Sequence, residues 1–391
     1  MRPAARAAAA AAILDAVLDG ARVEAALAGW ARGARYAGSA DREAVRDIVF
    51  DALRQRRSAA ALGGLGPDEA PTGRALVLGL ARAAGCEGEW FDASPHSLPP
   101  AGKDEAPRTP GAVEALDLPD WLLPAFRAAL GADLAAVAGA LRRRAPVFLR
   151  VNLARIQRGD AVLRLACEGI GAEPHPLAAS ALRVTAGARR IRGSASLAEG
   201  LVELQDAASQ AVVEALPLAD GQRVLDLCAG GGGKSLAMAA RARLALWAHD
   251  AVPGRMADLA PRAARAGVVV TSSDDPEGQA PFDGVLVDVP CSGSGSWRRD
   301  PAGKWALTPG RLAELAATQS AILVRAAPMV APGGWLAYVT CSLLREENEE
   351  RIGAFLAEHG AWHEETRLRL PPLRGGDGFF LSVLKRDHRG G

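Results

Sequence analysis

The 391-residue chain has no Cys-x-x-Cys pair and no His, Cys and carboxylate cluster at metal-ligand spacing. A zinc finger or ribbon is therefore excluded, and no metal is expected. Cys86, Cys167, Cys228, Cys291 and Cys341 are widely scattered. With no secretion signal they read as reduced thiols, which makes the expected location cytoplasmic. No apolar run approaches the roughly 18 uncharged residues that a membrane span needs, so no membrane partner is expected. The opening "MRPAARAAAAAAILDAVLDG" has the alanine run of a signal peptide, but Asp15 and Asp19 interrupt it. Ile13, Leu14, Val17 and Leu18 recur at helical spacing, which predicts an amphipathic helix instead. Lysine is scarce (Lys103, Lys234, Lys304 and Lys385), the histidines form no set, and no internal repeat appears.

What is present divides the chain. Hydrophobic residues make up 49%, enough for real cores, and the length fits two or three domains. Residues 1–141 read as a helical region, with Asp41 placed to cap the helix of "DREAVRDIVFDALRQRRS". Gly, Pro and acidic residues cluster around 64–113 and read as a linker or surface loop, interrupted by one helix in "ALVLGLARAAG". Residues 142–205 mix short strands with a helix, a small α+β subdomain. From Arg142 to Gly200 eleven arginines face four carboxylates, in a chain whose net charge is only +1. That local excess is the footprint expected for a polyanion such as RNA. From residue 206 to 391 strands alternate with helices, and runs such as "VVVTSSD" and "FDGVLVDVP" lack polar alternation, as strands buried on both faces do. The pattern predicts an α/β, doubly wound sheet with ligands at the carboxyl ends of its strands.

One such end carries "VLDLCAGGGGKSL". A phosphate loop needs Gly, four residues, then Gly-Lys-Ser/Thr, and Cys228 stands where the first glycine belongs. The following strand ends in Asp250, placed for ribose hydroxyls, and the third in Asp274, placed for an adenine amino group. The turn is too compact for a dinucleotide's pyrophosphate, so S-adenosylmethionine is the better candidate. Two further strand ends carry cysteines. "LVDVPCSGSGSWRRDP" supplies Asp288 and Cys291, and "WLAYVTCSLLREEN" supplies Cys341. A thiolate adding to carbon 6 of cytosine makes carbon 5 nucleophilic toward a methyl donor, and a carboxylate such as Asp288 offsets charge developing on the ring.

These motifs resemble the Sun/RsmB family, the Nop2-like RNA cytosine-5 methyltransferases. The likeness covers roughly Arg150 to Arg386 through "RVNLAR", "LVELQDAASQ", "VLDLCAGGGGKS", "DVPCSGSG", "VTCSLLREENEE" and "DGFFLSVLKR". It implies a Rossmann-like class I methyltransferase domain preceded by an RNA-binding α+β subdomain, with the helical start similar to a NusB-like domain. It implies Cys341 as nucleophile and Cys291 as the thiol that assists resolution of the covalent adduct. It implies a cofactor site at Cys228, Ala229, Gly230, Gly231, Gly232, Gly233, Lys234, Asp250, Asp274 and Asp288. The family's Ala-Pro is Gly230-Gly231 here, which costs loop rigidity.

Ribosomal RNA is the expected partner, bound by a monomer. The rival readings are the same chemistry on tRNA and a non-catalytic RNA-binding ribosome assembly factor. Arg298, Arg299 and Lys304 after the Pro-Cys loop are candidates for holding phosphates beside Trp305, and Arg150 is a further RNA-binding candidate. For Arg150, Asn152, Gln205 and Asp206 a structural role at the subdomain junction fits as well as RNA contact. "EENEE" reads as a solvated helix start in which Asn348 orders the loop after Cys341.

Overall fold

The computed structural model describes residues 1–388. They form two compact units, one built from Met1–Arg144 with Trp297–Ala306 and the other from Ala145–Ser296 with the chain from Leu307 onward.

The first unit is helical. Its longer helices are Pro3–Leu18, Val23–Gly33, Ser39–Arg54 and Gly73–Ala83, packed on Leu14, Val45, Val49, Leu53, Leu76 and Leu78, none more than 2% exposed. Glycine permits the closest approaches. A Cβ at Gly73 would lie 2.0 Å from the Ala11 carbonyl oxygen, and one at Gly79 would lie 1.9 Å from that of Ala59. The helix Gly73–Ala83, read as an interruption in a linker, is thus central to the core. The Pro-rich stretch after it is tied down by the Arg74–Glu105 and Arg108–Glu114 ion pairs, both 2.6 Å. Asp41 lies inside its helix rather than at the cap position, and its carboxylate reaches back to accept the Gly38 N–H at 3.2 Å. Asp120–Leu141 has the length and composition of a membrane span, but Arg127 and Asp133 interrupt it and it breaks at Gly131 (φ +52°) into two helices. The segment Trp297–Ala306 is built into this unit. Trp297 stacks on Phe126 with centroids 5.7 Å apart, and the Trp305 indole N–H donates to the Leu53 carbonyl at 2.7 Å.

The second unit holds two sheets. Strands β1 (Phe148–Val151), β2 (Gly171–Pro174), β3 (Ala181–Ala186) and β4 (Val202–Leu204) form an antiparallel sheet in the order β2-β3-β1-β4. The larger sheet contains β5 (Arg223–Asp226), β6 (Ala245–Ala248), β7 (Thr271–Ser272), β8 (Phe282–Asp288), β9 (Val330–Thr340), β10 (Trp362–Leu370) and β11 (Phe379–Arg386). Its order is β10-β11-β9-β8-β5-β6-β7, with β11 antiparallel to both neighbours and the remaining pairs parallel. This is the expected Rossmann-like α/β sheet. Strand order reverses between β5 and β8, so the ligand crevice belongs beyond their carboxyl ends, Asp226 and Asp288. One expected strand shrinks. "VVVTSSD" contributes only Thr271–Ser272, and Val269 is 84% exposed, because β7 is an edge strand paired on one side alone.

Candidate active site

The glycine turn joins β5 to the helix Gly233–Ala239. Gly230 and Gly232 take left-handed conformations (φ +50° and +77°), which side chains disfavour. The turn is held without the family's proline. The Gly230 N–H donates to Asp250 Oδ2 at 3.0 Å, and Arg262, itself paired with Glu203, donates to the Gly231 carbonyl. Asp250, at the end of β6, is 3% exposed and also accepts the Val252 N–H at 2.9 Å. Asp274 lies in an exposed bend after β7. Burial pushes the Cys228 thiol up to about 12, which leaves it neutral and unreactive.

Asp226 was not singled out from the sequence. It is 1% exposed, its Oδ2 accepts the Ser235 hydroxyl at 2.6 Å, and its Oδ1 is buried with no hydrogen-bond partner. Burial raises its carboxyl to about 7. Beside it, Lys234 Nζ meets Asp288 Oδ2 at 2.5 Å. Burial works against that ammonium, but the Asp288 charge outweighs it and leaves Lys234 above its ordinary value.

Adjacent parallel strands β8 and β9 bring the two cysteine loops together. Cys291 and Cys341, both free thiols, lie with their sulfurs 3.4 Å apart. Hydrogen bonding between them lowers Cys341 below an ordinary thiol, assisted by the Lys234 charge, and raises Cys291 well above one. The pair therefore divides into a thiolate former and a proton holder. The Ser296 hydroxyl points at the Cys341 sulfur from 3.9 Å.

Asn348 orders the loop after Cys341, accepting the Thr340 hydroxyl at 2.5 Å and donating to the Ser342 carbonyl at 2.9 Å. Its neighbour Glu347, read as part of a solvated acidic run, is 0% exposed. The Glu347 carboxylate accepts the Ser292 N–H at 2.7 Å, the Ser292 and Ser342 hydroxyls at 2.5 Å each, and the Gln319 amide at 3.1 Å.

Three RNA-binding candidates are placed differently from the expectation. Arg150 is 4% exposed and donates to the Leu236 carbonyl at 3.0 Å, with burial lowering it to about 10. Lys304 is 1% exposed and donates to the Arg54 carbonyl at 3.0 Å. Arg298 is buried in the helical unit, and its carbonyl accepts from Arg54 at 2.7 Å. Arg150 and Lys304 satisfy interior carbonyls instead of facing a polyanion, Arg298 is buried, and only Arg299 of that loop's three is exposed. Asn152 likewise spans the Gly200 and Ala266 carbonyls, and Gln205 donates to that of Gly233.

Residues 213–385 match the family model described as 16S rRNA methyltransferase RsmB/F, and residues 118–189 match the ferredoxin-like domain of RsmF/B-like methyltransferases. Ribosomal RNA small subunit methyltransferase B of Serratia proteamaculans is 34% identical over 282 residues, 68% of this chain and 66% of that one. The protein of the same name from Yersinia pseudotuberculosis matches to the same extent. The chain thus covers about two thirds of these relatives' length. Among solved structures, PH0851 aligns over 97% of this chain and 99% of its own, with TM-score 0.72 and 21% identity. A methyltransferase homolog protein from Pyrococcus horikoshii aligns over 69% and 96%, with TM-score 0.61 and 25% identity.

Proposed function

The chain belongs to the RsmB/F methyltransferase family, and from that premise we propose that it methylates carbon 5 of a cytosine in ribosomal RNA. The observation that carries the proposal is the thiol pair, with Cys291 and Cys341 sulfurs 3.4 Å apart at the ends of neighbouring strands. Cys341, the lower of the two thiols, adds to carbon 6 and forms the covalent bond to the base. Asp288, paired with Lys234 at 2.5 Å, stabilises charge developing on the ring in this reading. Once carbon 5 carries the methyl group, a base removes its proton, those electrons restore the ring double bond, and the carbon–sulfur bond breaks to release Cys341 as a thiolate, which the neighbouring Cys291 stabilises by hydrogen bonding.

S-adenosylmethionine supplies, when bound, the electrophilic methyl group that carbon 5 accepts. The residues fit it. The turn from Cys228 to Lys234 offers open backbone, Asp250 is a buried carboxylate at the next strand end, and Asp226 Oδ1 is a buried acceptor with no partner. Asp274 and Asp288 complete the set.

Incubation with S-adenosylmethionine and cytosine-containing ribosomal RNA tests the reading. Wild-type protein should yield 5-methylcytosine, Cys341→Ala none, and Cys291→Ala a denaturation-resistant RNA adduct. Methylation by Cys341→Ala would remove the assignment.

A further inference from the structure

We propose that Glu347 is a positioning residue that sets the separation of the two thiols. The inference deepens the reading above and rests on it. Ser292 and Ser342 each follow a cysteine directly, one after β8 and one after β9. Both hydroxyls donate to the same oxygen, Glu347 Oε2, at 2.5 Å. The other oxygen, Oε1, takes the Ser292 N–H at 2.7 Å and the Gln319 amide at 3.1 Å, and that amide also donates to the Pro290 carbonyl at 2.9 Å. Every one of these partners is a donor, the pattern that an acceptor-only carboxylate requires. One buried carboxylate therefore grips the residue after each thiol and, through Gln319, the residue before Cys291.

The grip is itself anchored. The Tyr338 hydroxyl donates to the Glu347 carbonyl at 2.5 Å, and Asn348 fixes the next residue to Thr340 and Ser342. Across the clamp the Ser294 and Ser342 hydroxyls meet at 2.9 Å, and Ser294 also accepts the Leu343 N–H at 2.8 Å. Backbone pairing alone does not fix the sulfurs, because β8 and β9 pair only as far as Asp288 and Val339. Beyond that register one backbone bond links the loops, from the Gly295 N–H to the Cys341 carbonyl at 2.9 Å, and side chains supply the rest, four of those bonds ending on the Glu347 carboxylate. Glu347 does not touch the sulfurs, so its effect on chemistry runs through their placement. Losing the clamp lets the thiols separate, which weakens the hydrogen bond that keeps Cys341 reactive and removes Cys291 from reach of the adduct.

The test compares wild type, Glu347→Ala, Glu347→Gln and Ser342→Ala. Steady-state methylation gives kcat and the cofactor KM. In separate samples without RNA or cofactor, diamide oxidises adjacent thiols, each losing a proton and an electron to form the disulfide while the diazene becomes a hydrazine. Non-reducing peptide mapping then reads the rate of Cys291–Cys341 cross-linking. Glu347→Ala should lower kcat at least tenfold, leave the cofactor KM within twofold, and slow cross-linking at least tenfold at temperatures well below its Tm. Glu347→Gln keeps one acceptor oxygen and should fall between. Ser342→Ala removes one arm, should slow both processes, and carries the test if Glu347→Ala does not fold. Cross-linking at the wild-type rate in a folded variant overturns the proposal, whatever happens to kcat. So does slowed cross-linking with kcat unchanged. Methylation by Cys341→Ala defeats the catalytic reading separately, and the cross-linking rates still measure the clamp.

Discussion

Replacing Asp226 with Asn tests whether the floor of the crevice holds a neutral acid. The Asp226 side chain is buried at the end of β5, and burial raises its carboxyl from 3.8 to about 7. A raised carboxyl stabilises the fold fully below the unfolded value, and that contribution is lost as pH rises through the folded one. Between pH 5 and pH 7 the folded protein keeps a proton that the unfolded chain has released, at about 1.4 kcal/mol per pH unit. Wild type should therefore lose about 3 kcal/mol relative to Asp226→Asn between pH 5 and pH 8. The Asn amide retains an oxygen for Ser235, but its NH2 takes the position of the unpartnered Oδ1. That unsatisfied donor costs about 1–3 kcal/mol at every pH and so drops out of the slope. Urea titrations of both proteins at pH 5, 6, 7 and 8, without cofactor, give the difference directly. A difference that stays flat, or that grows in favour of wild type with pH, would refute the reasoning.

Gly79→Ala should lower the stability of the helical unit by about 1–3 kcal/mol, because its Cβ would sit 1.9 Å from a backbone oxygen that cannot yield; thermal melting of the intact protein checks this. Lys304, pushed down to about 7 chiefly by burial, releases its proton on folding, so its contribution to stability should rise between pH 7 and about 10. Lys304→Met should remove that rise in urea titrations. Arg190 and Arg192 remain exposed on the connection between β3 and β4, and the Arg190→Gln/Arg192→Gln variant should reduce the log–log salt slope of RNA binding by about 1.5. Arg150→Gln should leave that slope unchanged.

The parallel strands of the large sheet were legible because they are buried on both faces and read as continuous apolar runs, as "FDGVLVDVP" does. Edge strands broke that rule in both directions. The valines before Thr271 look like a core strand, yet Val269 is 84% exposed. "WHEETRLRL" carries too much charge to announce a strand, yet Trp362–Leu370 pairs along its length with β11. At a sheet edge one side of the ladder faces solvent, so composition no longer reports pairing. The helical unit was legible as helices, but the weight of the helix Gly73–Ala83 in its core was not. Alanines share its interior with Leu14, Leu53, Leu76 and Leu78, and the close backbone approaches at Gly73 and Gly79 leave no mark in a pattern of large apolar residues.

The chemistry of the site was legible wherever a residue type was itself the signal. Two thiols on neighbouring strand ends are rare enough to notice, and the strands bring them within 3.4 Å. Charge was a poorer guide, since its meaning depends on burial. The readings of four charged residues turned on this point. Arg150, Arg298 and Lys304 lie inside the protein, and Glu347, in the most acidic run of the chain, is wholly buried. A burial signal was nevertheless present in the sequence. Each cysteine is followed by serine, and a pair of hydroxyls facing each other across two loops calls for an acceptor without a proton to offer. In "CSLLREEN" the carboxylates lie four and five residues after Ser342, within one turn of a helix start. Glu347 is the one that reaches both serines, with Asn348 anchoring the backbone beside it and Tyr338 holding its carbonyl. The acidic run thus divides by position, with one carboxylate committed to the thiols.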